Sequence, residues 1–200
     1  VAYYRRALPR FLTIKSWIDE GLIGKPRFVN IVFHQAPFPV DLKGEANWRV
    51  HPDISGGGYF VDLGSHMLDI LQYFFGHIIS ADGRAANQAG LYPAEDIVSG
   101  QFIFSSGVQA TGMWCFTALN QLDRTEIVGE NGKIVFATFG NDPVILETNT
   151  GTRTFDLPNP VHIQQPLIQS IVDELNGTGK CPSTGKTASH TNWAMDRLRG

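Results

Sequence analysis

Apolar residues recur at every second position between about residues 78 and 157, and at every third or fourth on either side of that stretch. The first helical run carries Phe11, Ile14, Ile18 and Leu22 on one stripe, with Pro9 as its first helical residue and Gly21 and Gly24 stopping it. Residues 27–34 form a β-rich run (Phe28, Val29, Ile31, Val32, Phe33), which the prolines at 37 and 39 break. A long loop then runs to Gly58, containing Asn47-Trp48-Arg49 and ending Ser55-Gly56-Gly57-Gly58. A stretch of that length without periodicity in a compact domain points to function. Residues 59–75 predict the strongest helix of the chain. Phe60, Leu63, Met67, Leu68, Leu71, Phe74 and Phe75 wrap more than half its circumference, so it is buried on most sides until Gly76 closes it.

The alternating stretch divides into candidate strands at 79–87, 96–105, 107–117, 123–129, 132–138, 143–148 and 151–157. Turn signals separate them: Ser105-Ser106-Gly107, Glu130-Asn131-Gly132, Asn141-Asp142-Pro143 and Asn149-Thr150-Gly151. Together they predict an antiparallel meander of about five to seven strands. Pro166 opens an amphipathic helix through Leu167, Ile168, Ile171, Val172 and Leu175, and Ser183 or Thr184 caps a last one that reaches Leu198. Helices, then strands, then helices make this an α+β chain, an open and mostly antiparallel sheet with helices packed on one face.

Composition narrows the function classes. The 200 residues carry 16 Lys and Arg against 19 Asp and Glu, a net charge of −3, which leaves no electrostatic footprint for nucleic acid. An apolar fraction of 42 % excludes disorder, and no unbroken apolar run approaches the length of a membrane span. Charged residues reach only 18 %, a shortfall that points to surface buried against something outside the chain. The two cysteines make no disulfide framework, so a reducing, cytoplasmic setting is the expectation. The opening Val1-Ala2-Tyr3-Tyr4 is expected to be the end of a strand whose sheet lies elsewhere.

Candidate chemistry concentrates on the buried helix. At 100° per residue, Tyr59, Asp62, His66, Asp69 and Tyr73 share roughly an 80° arc. Asp62 and His66, four apart, would touch, and a carboxylate beside an imidazole orients it and raises its pKa, the composition of a general base with its orienter. The same stripe also suits a solvated helix edge, and Asp62, His66 and Asp69 could instead ligate a metal with His34 or His51 recruited. The triple glycine would let a ligand approach the helix N-terminus. It is no dinucleotide fingerprint, since Val61 stands where glycine or alanine is required and a loop precedes it. Likewise Gly185-Lys186-Thr187 lacks the first glycine of a phosphate loop, Lys180 standing in its place. Arg5-Arg6 suits an anionic partner or plain solvent, and Trp48-Arg49 suits a small polar ligand or a loop plug.

Taken together, Val1-Ala2-Tyr3-Tyr4-Arg5-Arg6…Pro9, Gly21-x-x-Gly24-Lys25-Pro26, Asn47-Trp48-Arg49 and Gly56-Gly57-Gly58-x-x-x-Asp62-x-Gly64-x-His66-x-x-Asp69 resemble the glucose–fructose oxidoreductase / inositol dehydrogenase (Gfo/Idh/MocA) family, as do Pro166-Leu167-Ile168 and Pro182-Ser183-Thr184-Gly185. The resemblance implies a parent of two domains. One is a Rossmann domain that binds most of an NAD or NADP cofactor and supplies a Glu-Lys-Pro lysine. The other is an open-sheet domain of the glyceraldehyde-3-phosphate dehydrogenase-like C-terminal kind. Residues 1–6 would be what remains of the last Rossmann strand, and 7–200 the substrate-binding and oligomerisation domain. It further implies proton transfer by His66, with Asp62 orienting it or touching substrate hydroxyls. His34, Trp48, Arg49 and Tyr59 would lie on the substrate side, Arg5 near the nicotinamide, and no metal is implied. The expected reaction is oxidation or reduction of a sugar, cyclitol or related polyol by the parent, the 200 residues alone being inactive. A non-catalytic ligand-binding or assembly module of the same fold is the alternative. The uncovered sheet face, carrying Phe102, Phe104 and Trp114 or their neighbours according to register, would pack against a second copy.

Overall fold

The computed structural model describes residues 1–44 and 46–200. Its eight strands form one sheet in the order β2-β3-β4-β1-β5-β6-β7-β8. The strands are β1 (Pro26–His34), β2 (Ile78–Ala86), β3 (Ile97–Phe104), β4 (Gln109–Cys115), β5 (Leu122–Gly129), β6 (Gly132–Phe136), β7 (Val144–Thr148) and β8 (Gly151–Phe155). Every strand expected from the alternation is present, but the meander is divided. β1 inserts between β4 and β5, parallel to the first and antiparallel to the second. A parallel pair cannot be joined by a tight turn, and here the whole segment 35–108 makes the crossover.

Register decides which face is covered. Val29, Ile31 and Phe33 of β1, Val98, Phe102 and Phe104 of β3, and Ala110 and Trp114 of β4 are buried on one face. Ile103 and Met113 are the neighbours that point outward, with Phe28 and Val32 beside them. Trp114 lies flat over Gly112, where any Cβ would sit 2.1 Å from the indole, and its N–H donates to Met67 Sδ at 3.2 Å. That contact fastens the sheet to the central helix. Each large apolar side chain so buried contributes about 2 kcal/mol to folding.

Helices α1 (Pro9–Asp19), α4 (Ser65–Phe75) and α6 (Gly185–Arg199) bury residues such as Phe11, Met67, Leu71, Ala194 and Leu198 in the same core. Helix α6 seats closely on β2 and β3 because Gly83 and Gly100 leave room for Leu198. Helix α5 (Gln165–Leu175) buries only Leu167. The long loop is not bare: it holds two single-turn helices, α2 (Pro39–Leu42) and α3 (Pro52–Ser55), and a 3₁₀ turn at Trp48–Val50. Both short helices start on a proline, whose fixed φ and missing N–H suit a first helical position.

Residues 1–3 join no strand of this sheet, and Tyr4–Ala7 form a 3₁₀ turn. One expectation changes: the helix expected over 59–75 is not uniform. Phe60–Gly64 is a π-helical turn, and regular α4 begins only at Ser65. Gly64 permits the wide turn, because a Cβ there would lie 2.5 Å from the folded-over Phe60 ring.

Candidate active site

The π turn changes the phase of the polar stripe. Residues that would share one arc on a straight α-helix are sent in different directions. Asp62, expected to orient His66, instead pairs with Arg49, Nε to Oδ2 at 3.4 Å. Asp69 is buried and bound in a fork by Arg6, at 2.8 and 2.7 Å. The acid pair and the imidazole therefore do not converge as metal ligands would, and no cluster of metal-binding side chains is found among the described residues.

His66 occupies a pocket of rings. Tyr3 stands edge-on at 5.3 Å between centroids, Tyr4 lies at 5.5 Å and Phe139 at 6.5 Å. Its Nδ1 is buried and finds no hydrogen-bond partner among the described residues. Burial first, and the nearby Arg5 cation second, hold the imidazole pKa down to about 3. The imidazole is thus neutral at physiological pH, opposite to the rise expected from a carboxylate partner.

Arg5 is not on the surface. Its guanidinium lies over the rings of Tyr4 and Phe139, at 4.7 and 4.4 Å, and its Nε donates to the Thr138 carbonyl at 3.0 Å. Its Nη1 is buried and unpartnered among the described residues.

Trp48 and Arg49 are exposed side by side, the guanidinium 4.7 Å from the indole ring. The 3₁₀ turn that carries them is capped by Asn47, whose Oδ1 accepts from Arg49 N–H. Asn47 in turn donates to Asp41 at 2.8 Å and to the Tyr59 hydroxyl at 2.7 Å, and Tyr59 donates to Asp41 at 2.6 Å. Tyr59, expected to touch substrate, is only 3 % exposed and spends its hydroxyl in this network. In this position it anchors the Trp48 loop from beneath. His34 ends β1, half-buried, with Nδ1 2.8 Å from the Asn120 carbonyl.

The triple glycine also has a different reason. A Cβ at Gly57 would strike Val61, and one at Gly58 would strike Ala94 and the Glu95 backbone. Gly58 N–H donates to the Glu95 carboxylate at 3.2 Å, and Arg199 pairs with the same carboxylate while donating to the Gly56 carbonyl. With the Gly58 amide already given to the Glu95 carboxylate and the Gly57 amide to Ser55 Oγ, this loop does not fit a pyrophosphate. Asp41 and Glu95 carry no mark in the sequence pattern. Each acts through contacts between distant segments.

The architecture is that of an open-sheet α+β domain with one buried, mostly apolar helix whose polar stripe faces a loop that carries an aromatic–cation pair. The family model for the GFO/IDH/MocA C-terminal domain matches residues 11–135, and the chain belongs to that family. It is 35 % identical over 203 residues to Oxidoreductase P35 of Formosa agariphila, covering 100 % of this chain and 62 % of the relative. To the NAD(+)-dependent scyllo-inositol 2-dehydrogenase of Bacillus subtilis it is 27 % identical, covering 94 % of this chain and 53 % of that protein. Among solved structures, levoglucosan dehydrogenase in complex with NADH and levoglucosan superposes with a TM-score of 0.83 at 19 % identity, over 99 % of this chain and 62 % of that one. The chain thus spans between half and two thirds of the length of these relatives.

Proposed function

We propose that these residues are the substrate-binding half of an NAD(H)- or NADP(H)-dependent oxidoreductase that acts on a sugar, cyclitol or related polyol, with His66 as the proton acceptor. The observation that carries this reading is the neutral, ring-enclosed imidazole of His66 with a buried, unpartnered nitrogen. A proton acceptor must start unprotonated, and burial keeps this imidazole neutral throughout the physiological range, although so low a pKa makes it a weak base until a ligand changes its surroundings. The relatives support the substrate class, since one is named for scyllo-inositol and another for 1,5-anhydro-D-fructose.

In this reading Arg49 and Asp62 tie the Trp48 loop to the helix that carries His66, and offer a cation, a carboxylate and an exposed indole to a polyhydroxylated ligand. His34 would contact substrate from the end of β1, and Arg5 would sit behind the rings next to the nicotinamide. The dinucleotide itself would be held mainly by parts of the parent outside these residues, which span only 62 % and 53 % of the two curated relatives, while the Gly58 amide here is already taken by Glu95. The uncovered sheet face would pair with a second copy.

His66→Ala in the full-length parent tests the assignment. The expected loss in kcat is about a hundredfold or more, with cofactor binding retained. Unchanged turnover on the parent's best polyol would sink it.

A further inference from the structure

The β6–β7 loop, residues 137–143, is held more tightly than a surface turn needs. Asp123 of β5 accepts from three successive amides: Thr138 at 2.9 Å, Phe139 at 2.6 Å and Gly140 at 3.4 Å. From the other side Arg5 donates to the Thr138 carbonyl at 3.0 Å. Arg10, almost fully buried, donates to the carbonyls of Gly140 at 2.5 Å and Asp142 at 2.8 Å. Sheet register aims the carboxylate, because Asp123 lies opposite Phe33, whose ring packs on Phe139 at 5.4 Å. The one large side chain displayed by the clamped loop is Phe139, between the Arg5 guanidinium and the His66 ring.

We propose that Asp123 is a positioning residue for His66: it fixes the β6–β7 loop so that the Phe139 ring closes one side of the imidazole pocket. An ordinary turn would satisfy its amides with water or its own carbonyls. Here one carboxylate, desolvated in the process, gathers three of them, and two arginines lock the opposite edge. Without the clamp, Phe139 keeps only its ring contacts with Phe33 and Arg5, which do not fix the loop backbone, and water would enter beside the imidazole. The groups facing the imidazole are Tyr3, Tyr4 and Arg5 from the opening turn and Phe139 from the loop. Asp123 stands behind Arg5, while Asp62 and Asp69 on its own helix are engaged by Arg49 and Arg6.

The catalytic meaning of this arrangement rests on the reading of His66 as proton acceptor, but its test does not. NMR on the 200-residue chain reads the ring contact, amide exchange and the imidazole titration without turnover. Asp123→Asn turns one acceptor oxygen into a donor facing the amides. The expected result is loss of the Phe139–His66 NOE and at least about tenfold faster exchange at the amides of 138, 139 and 140. Asp123→Glu, which returns a carboxylate, is expected to recover protection. Phe139→Leu leaves the clamp intact and is expected to keep the slow amides while the His66 midpoint rises by about one pH unit or more. Persistence of the NOE and slow exchange in Asp123→Asn overturns the proposal, as does an unmoved His66 midpoint in Phe139→Leu. His66→Ala in the parent decides the catalytic reading separately.

Discussion

A buried histidine whose Nδ1 has no hydrogen-bond partner among the described residues makes the fold sensitive to acid in a direction that can be worked out. Folded His66 takes a proton only near pH 3, whereas the same side chain in the unfolded chain does so near 6.5. Between those values the unfolded state binds more protons, so stability is full above pH 6.5 and falls as pH drops toward 3. The slope from one such group is at most about 1.4 kcal/mol per pH unit. Urea midpoints measured from pH 7 to pH 4 should therefore fall less steeply for His66→Gln than for the unaltered chain. Equal slopes would show that the imidazole is not held neutral. The residue itself stood out in the sequence because a polar stripe on an otherwise apolar helix is conspicuous. Its surroundings did not, since Tyr3 and Tyr4 arrive from 63 and 62 residues before it and Phe139 from 73 residues after it.

At the scale of elements, the π turn at Phe60–Gly64 separates Asp62 from His66 and gives each its own partner. Gly64→Ala would drive a methyl group into the Phe60 ring, which is fully buried and also packs on Trp114 at 5.0 Å. The expected cost is about 1–3 kcal/mol, read as a lower urea midpoint with an unchanged slope. A neutral result would mean that the ring yields and the wide turn does not depend on the glycine. Apolar periodicity located this helix but could not show the π turn, because one extra residue per turn barely changes a pattern that is hydrophobic nearly all round. The strands were legible for the opposite reason. Alternation such as Val29, Ile31, Phe33 against Phe28, Val32 is a local property, although Trp114 and Phe102 proved to be core residues and Met113 and Ile103 the exposed ones.

For the molecule as a whole, the uncovered face of the sheet displays Phe28, Val32, Ile103 and Met113, and holds a groove of about 320 Å³ between β1, β2, β3 and β4. If this face pairs two copies, Met113→Lys should reduce the mass seen by light scattering to that of one chain without lowering the thermal midpoint. An unaltered chain that already runs as a single copy would contradict the pairing. No helix among the described residues is long and apolar enough to cross a membrane. What the sequence determined by itself was the kind of the strands and of the longer helices, the α+β class, and the covered helix with its polar stripe. Those features are written in spacings of two, three and four, which any local segment carries with it. The tertiary structure alone decided that β1 divides the meander, that Arg49 rather than His66 takes Asp62, that Tyr59 is an anchor, and that Asp123 secures the ring over the imidazole. Each of these joins segments far apart in the chain, and the partner of a side chain then depends on register and turn geometry, where a shift of one residue reverses the face.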